Sequence, residues 1–269
     1  MTAFSKVKLI VSDMDGTLLN SKGEVSAVFF KLFKELKKRN ITFCAASGRQ
    51  HNSIIAKLDK IKDDIFVIAE NGGIAKQKNK ILLSHYLEKR KVLQLIPILR
   101  KTEGANMVLC CDGEAFIESK DKYFIKHFQE YYHSFQQVEN LMAVAETTAV
   151  FKIAVYHSQS SEKYIYPKLQ SIQDTVLLKV SGKNWLDISD KNANKGEALK
   201  KVQELLEVSK EETMVFGDYH NDIEMMQEAD FSFAMGNAHK DIKALAKFST
   251  ETNDNNGVEK VIKELLDTL

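Results

Sequence analysis

Short apolar runs alternate with segments of helical periodicity along much of this chain, and several of the runs stop at acidic, hydroxyl-bearing or glycine residues. Val7-Lys8-Leu9-Ile10-Val11 leads to Asp13-Met14-Asp15-Gly16. The run Ile41 to Ala46 stops at Ser47-Gly48-Arg49, Ile65 to Ala69 at Glu70-Asn71-Gly72-Gly73, and Thr213 to Phe216 at Gly217-Asp218. Phe231 to Gly236 reads as a further strand. Helical patterns fill the intervals: Val25 to Arg39, with an apolar stripe of Val28, Phe29, Leu32, Phe33 and Leu36, then His51–Leu58, a helix from Gly196, one after Asn221, and a closing amphipathic stretch Gly257–Leu266. Continuous apolar strands alternating with helices predict a mainly parallel, doubly wound α/β sheet. Such a sheet gathers the C-terminal ends of its strands at one edge, where the ligand crevice lies.

The middle of the chain has a different rhythm. Strands are expected over Asn106–Cys111 and Ala115–Glu118, flanking the hairpin signal Asp112-Gly113-Glu114, and over Val150–Tyr156, Thr175–Val180 and Trp185–Ile188. Helices are expected over Glu88–Thr102, Asp121–Tyr132 and Ser161–Ile172. This predicts an inserted α/β unit with an antiparallel sheet, residues 83–189, interrupting a core of residues 1–82 and 190–269. Lys76-Gln77-Lys78-Asn79-Lys80 reads as a solvated turn.

A formal net charge of +1 provides no field to attract nucleic acid or anionic lipid. The start, Met1 to Lys6, has no signal-peptide core, and no apolar stretch is long enough to span a membrane. Three cysteines (Cys44, Cys110, Cys111) form an odd set without zinc-ligand spacing, which fits a reducing compartment. Adjacent Cys110 and Cys111 should point to opposite faces of their strand. The expectation is a cytoplasmic protein, monomeric or weakly dimeric, with a small-molecule partner.

Each strand-end motif alone is ordinary turn chemistry, and Lys195-Gly196 alone is a lysine before a helix. Their conjunction is more demanding. A parallel sheet would bring four acids (Asp13, Asp15, Asp218, Asp222), Lys195, Ser47 and Asn221 to one edge. Like charges at close range repel by about 4 kcal/mol at an intermediate dielectric. A hard divalent cation relieves that repulsion, and oxygen-only ligands favour Mg²⁺. Acid, hydroxyl, lysine and acid pair together suit the binding and attack of a phosphoryl group.

This order resembles the haloacid dehalogenase superfamily. Asp13 to Leu19 looks like its first motif, Ser47-Gly48-Arg49 its second, Lys195-Gly196 its third, and Gly217-Asp218-Tyr219-His220-Asn221-Asp222 its fourth. The insertion between the second and third motifs, with Asn71-Gly72-Gly73, resembles the Cof-type branch. Tyr219 stands where that branch often has glycine. The resemblance implies a Rossmann-like core with an inserted α/β cap, and a Mg²⁺-dependent phosphatase of small phosphorylated metabolites, sugar phosphates foremost. It implies Asp13 as nucleophile and Asp15 as general acid and base. Metal would lie on Asp13, Asp218 and the Asp15 carbonyl. Ser47, the N–H groups of Met14 and Gly48, Lys195 and Asn221 would hold phosphate oxygens, and Asp222 would orient Lys195 or a metal-bound water.

The insertion should set substrate choice, with Arg49 and Asn71 on the core and Asp112, Lys152 and Lys183 on the cap as candidates. For each cap residue the competing reading is a solvated surface group. Trp185 could pack the hinge or line the pocket. His51, His85 and His220 have no part in the implied chemistry, and His220 is notable for lying inside the fourth motif. The alternatives are a phosphomutase, which returns the phosphoryl group to a sugar, and a regulatory protein without catalysis.

Overall fold

A computed structural model describes residues 3–129, 131–132 and 134–269. The chain begins a sheet with β1 (Leu9–Asp13), β2 (Thr42–Ala46), β3 (Phe66–Ala69), β4 (Ile74–Gln77) and β5 (Lys80–Ser84). It leaves to build a second sheet from β6 (Asn106–Cys111), β7 (Ala115–Ile117), β8 (Phe135–Gln137), β9 (Val150–Tyr156), β10 (Leu177–Val180) and β11 (Trp185–Ser189). It then returns with β12 (Thr213–Gly217), β13 (Phe231–Ala234) and β14 (Phe248–Ser249).

The first sheet has the order β14-β13-β12-β1-β2-β3-β4-β5, parallel from β14 through β3 and antiparallel beyond. β1 is central, so the strands ending in the first, second and fourth motifs are neighbours: Val11 pairs with Val215 on one side and Cys44 on the other. All five β1 residues are buried, as expected of a strand covered on both faces. The first helix, Ala27–Lys38, is capped by Ser26, whose Oγ accepts the Phe29 N–H at 3.0 Å. It buries Phe29, Phe33 and Leu36, the two rings against Phe43, while Val28 turns outward and is 48% exposed. The expected stripe was one residue too wide, because Val28 precedes the buried row by a single 100° step.

The inserted unit is the order β10-β11-β9-β6-β7-β8, antiparallel except for β7 with β8. Its apolar side chains divide between two faces: Leu109, Cys111, Ile153, Val155, Leu186 and Ile188 on one, Val108, Cys110, Ala154 and Tyr156 on the other. The two cysteines do point opposite ways, and all three cysteines are buried and free. Together the two sheets make an α/β fold with a doubly wound, mainly parallel core and an inserted α/β cap.

Several expectations need correction. The stretch 74–84 forms a β4–β5 hairpin in the core sheet, so Lys76, Gln77 and Lys80 are strand residues and only Lys78-Asn79 makes the turn. β5 runs to Ser84, two residues past the expected boundary at 82. The helix expected over Ser161–Ile172 is broken into Ser161–Tyr164, Tyr166–Leu169 and a 3₁₀ turn, because Pro167 cannot continue the helix that precedes it. The helix expected over Asp121–Tyr132 covers Lys122–Phe128, with residue 130 of that span outside the described residues. A short helix, Leu141–Thr147, was not foreseen; Asn140 caps it by accepting the Met142 N–H. No helix among the described residues is long and apolar enough to cross a membrane.

Candidate active site

The chain leaves β1 through a turn in which Gly16 has φ +78°. A side chain there would be strained, and its Cβ would overlap Asp218 Oδ2, so glycine is what lets the fourth-motif carboxylate approach the first motif. Thr17 Oγ1 donates to Asp218 Oδ1 at 3.1 Å and fastens that approach.

Lys195 opens the helix Lys195–Leu206, whose cap Asn194 accepts the Glu197 N–H. Its ammonium is fully buried and donates to Asp13 Oδ1 at 2.5 Å and to Asp222 Oδ1 at 2.7 Å. The other oxygen of Asp222 accepts the N–H groups of Asp218 at 2.9 Å and Tyr219 at 3.1 Å. Asp222 therefore has both oxygens committed: it orients Lys195 and shapes the loop carrying Asp218. Burial alone would lower the Lys195 ammonium, but Asp13 and Asp222 outweigh it and keep the lysine charged.

Carboxylate oxygens of Asp13, Asp218 and Asp222 lie within 4.8 Å of one another. Burial, reinforced by the charges of Asp222 and Asp218 and opposed by Lys195, raises Asp13 well above the usual carboxylate range. Asp218 is pushed up to about 7 by burial and by Asp222. One lysine thus fails to balance the cluster. Oxygens of Asp13 and Asp218 are close enough to share one ion, and a hard oxygen donor set with surplus negative charge suits a divalent cation such as Mg²⁺.

The remaining predicted residues are distributed unevenly. Asp13, Asp15, Asp218, Ser47, Gly48, Arg49, Asn221, Lys152 and Lys183 line one cavity of about 380 Å³ between the sheets. Met14, Lys195 and Asp222 are fully buried beneath it. Arg49 holds Asp15 by two parallel bonds of 2.7 Å, from Nε to Oδ2 and from Nη2 to Oδ1. Asn71 is buried, donates to Asp187 Oδ2 at 2.5 Å and accepts from Asn221 Nδ2 at 3.0 Å. It connects the cap to the fourth motif and is not part of the cavity wall.

Two cap readings change. Lys152 is 2% exposed, far from a solvated surface group. Its ammonium pairs with Asp187 Oδ2 within the cap at 3.2 Å and reaches the core at the Gly48 carbonyl (2.7 Å) and Glu70 Oε2 (3.2 Å). Asp112 lies outside the cavity, paired with Lys76 at 2.8 Å on the β4 rim, because the β6–β7 turn projects toward the core hairpin. Its own side chain is 49% exposed.

Sequence reasoning missed Glu70 and Asp187, and it missed the aromatic wall of the cavity: His127, Tyr131, Tyr132 and Tyr156 beside Trp185. Trp185 both lines the cavity and packs edge-on against Tyr156 with ring centres 5.1 Å apart. A signal for the clasp did exist. Lys152 is the one charged residue in the otherwise apolar or aromatic strand Val150–Tyr156, and period-2 alternation puts it on the face of Ala154 and Tyr156. In the structure, Glu70-Asn71-Gly72, which supplies the core side of the clasp, has positive φ at three successive residues (53°, 55° and 94°). Such strain costs roughly 1–3 kcal/mol for each non-glycine residue. It is held by bonds from Glu70 N to Arg49 O and from Asn71 N to Ser47 O, and it aims both side chains at the cap.

Sequence comparison decides the family. Residues 10–262 match the haloacid dehalogenase-like hydrolase family. The chain belongs to the haloacid dehalogenase-like hydrolases. Among its relatives is the 5-amino-6-(5-phospho-D-ribitylamino)uracil phosphatase YbjI of Escherichia coli, 30% identical over 97% of this chain and 96% of that protein. Phosphatase YwpJ of Bacillus subtilis is 27% identical over 97% of this chain and all of the relative. A Streptococcus mutans protein of solved structure superposes with a TM-score of 0.90 at 28% identity, covering 97% of this chain and 99% of that one. This haloacid dehalogenase-like hydrolase is of the Cof type and is a phosphoric monoester hydrolase. In the buried Asp13–Lys195–Asp222 chain, a carboxylate is held in place by a lysine ammonium.

Proposed function

We propose that the enzyme is a Mg²⁺-dependent phosphatase that passes the phosphoryl group of a small phosphorylated metabolite first to Asp13 and then to water. The observation that carries this reading is the buried Lys195 ammonium joined to both Asp13 and Asp222, with Asp218 beside them and the cavity above. Lys195 occupies Asp13 Oδ1, which leaves Oδ2 to attack phosphorus in line with the leaving oxygen. The P–O ester bond breaks, an acyl phosphate forms on Asp13, and Asp15 gives its proton to the leaving alkoxide. Asp15 then takes a proton from water as that water attacks phosphorus, and Asp13 is released with inorganic phosphate. Such proton transfer typically contributes about 10²–10⁴-fold.

Ser47, Asn221, Lys195 and the N–H groups of Met14 and Gly48 hold the non-bridging oxygens, over which the transition state spreads its charge. Asp13, Asp218 and the Asp15 carbonyl would hold Mg²⁺, which when bound supplies positive charge to the same oxygens and offsets the carboxylate repulsion. Arg49 holds Asp15 by two hydrogen bonds and lies at the cavity wall, where an incoming phosphate would compete for its guanidinium.

For the substrate, we infer a sugar or sugar-alcohol phosphate carrying a planar ring. Tyr131, Tyr156, Trp185 and His127 line the end of the cavity formed by the cap, and aromatic faces suit a planar group. The name of the Escherichia coli relative, a ribityl phosphate joined to a uracil, is compatible with this. The cap serves as a lid that excludes water during transfer.

A phosphate-release screen across hexose phosphates and ring-bearing ribityl phosphates tests the proposal. With Asp13→Asn, turnover should fall by at least about 10³-fold while the fold is retained. A chelator should abolish release and Mg²⁺ restore it. Undiminished release by Asp13→Asn would refute the covalent route, and conversion to a positional isomer without free phosphate would mark a mutase. Trp185→Ala should raise KM for ring-bearing substrates about tenfold and leave hexose phosphates nearly unchanged; equal effects on both would remove the ring from the proposal.

A further inference from the structure

His220 has no task in phosphoryl transfer, yet the fold brings it against two other donor side chains. Its Nε2 lies 3.1 Å from Asp241 Oδ2, and His239 Nδ1 lies 3.4 Å from the same oxygen. All three donor atoms fall within 4.8 Å of one another. The two imidazoles meet edge to face with centres 4.3 Å apart, and the Tyr219 ring flanks both. We propose that His220, His239 and Asp241 form a second metal site, selective for a borderline divalent transition ion of the Zn²⁺ class and distinct from the carboxylate cluster at Asp13 and Asp218.

Donor chemistry and spacing both support this. Tetrahedral zinc holds nitrogen and oxygen ligands about 2.0–2.2 Å away, so neighbouring ligands sit roughly 3.4 Å apart. The two observed donor separations already match that edge length. Two imidazole nitrogens and one carboxylate oxygen favour Zn²⁺, Cu²⁺ or Ni²⁺ over Mg²⁺, which takes oxygen. His239 Nδ1 accepts the Asp241 N–H at 3.3 Å, so it carries a lone pair rather than a proton. An ion would replace that long bond, and His220 would shift its proton to Nδ1 or lose it to solvent. Both histidine side chains are 31% exposed and Asp241 55%, which leaves the ion a path in. Nearby Lys179 does not fill the site. Its ammonium pairs with Glu224 at 2.6 Å and donates to the His220 carbonyl.

The position gives the site a consequence. His239 N donates to the Asp218 carbonyl at 2.8 Å, so the ligands straddle the fourth-motif loop and the start of the helix Lys240–Leu245. An ion here cross-links those two segments. Three protein ligands leave at least one coordination position for water or an anion.

Equilibrium dialysis of the full chain against Zn²⁺ in saturating Mg²⁺ tests the proposal, with Co²⁺ absorption reporting ligand geometry. The unmodified protein should bind one Zn²⁺ per chain, show a tetrahedral Co²⁺ spectrum, and melt at a higher temperature with Zn²⁺ present. His220→Ala and Asp241→Asn should each weaken Zn²⁺ binding at least tenfold, whereas Asp218→Asn, which dismantles the carboxylate cluster, should leave it in place. The two variants alter a partly exposed and an exposed side chain, and circular dichroism verifies their folding. Absence of Zn²⁺ binding, equal affinity in the His220→Ala variant, or loss of binding on Asp218→Asn alone would each overturn the site.

Discussion

Two lysines, each fully buried between two carboxylates, do different work in the two halves of this molecule. Lys195 has both partners, Asp13 and Asp222, inside the core. Lys152 has one partner in the cap, Asp187, and one in the core, Glu70, and it also caps the Gly48 carbonyl of the second motif. Around Lys195 a third carboxylate, Asp218, leaves negative charge in excess and open to the cavity. Around Lys152 there are only two acids, Glu70 and Asp187, and Asp187, at the cavity wall, is tied to the core through Asn71. Burial would lower the Lys152 ammonium, but Asp187 and Glu70 overcome it and hold the proton on. A lysine between two acids is thus not itself a catalytic sign. What separates the reactive cluster from the clasp is the third carboxylate, Asp218, facing the cavity.

The contrast can be broken from either side. Lys195→Met should have the larger effect. It strips Asp13 and Asp222 of their shared cation, so kcat should fall by about 10²–10³-fold and stability by roughly 3–5 kcal/mol. Steady-state kinetics and urea unfolding measure the two losses. Should kcat survive within tenfold, the assignment of reactive cluster to Lys195 is wrong. Lys152→Met strands Glu70 and Asp187 and should likewise cost about 3–5 kcal/mol, but with kcat at saturating substrate within about tenfold and KM raised. A kcat loss as deep as that of Lys195→Met would erase the distinction between the two lysines. The smallest effect belongs to Asp112→Ala, which removes only a rim ion pair with Lys76. Unfolding free energy should move by under about 0.5 kcal/mol and KM should hold; a clear rise in KM would return Asp112 to the substrate path.

Much of the core was legible because its signals are local. An apolar run, a turn residue and an N-cap each act over a few residues, and strand order in a doubly wound sheet then brings Asp13, Ser47 and Asp218 to one edge. The cap was legible as strands and helices, though Pro167 broke a helix that periodicity carried through. The partners of the cap's polar residues were not legible. Lys152 and Asp112 look alike on paper as charged residues in or beside strands. One points into the seam between two sheets and the other to its rim, a difference set by how the cap lies on the core.

The amino-acid order alone determined the α/β alternation, the four strand-end and helix-start motifs, and hence the reaction class, since each depends on backbone preference and side-chain chemistry within a short span. Only the folded chain decided that Lys152 is a buried clasp, that Asp222 spends both oxygens on Lys195 and the loop, that aromatic rings wall the cavity, and that two histidines meet Asp241. Those outcomes come from surfaces meeting across long sequence separations. There the desolvation of a charge and the partners it finds are properties of packing and are not carried by any single segment.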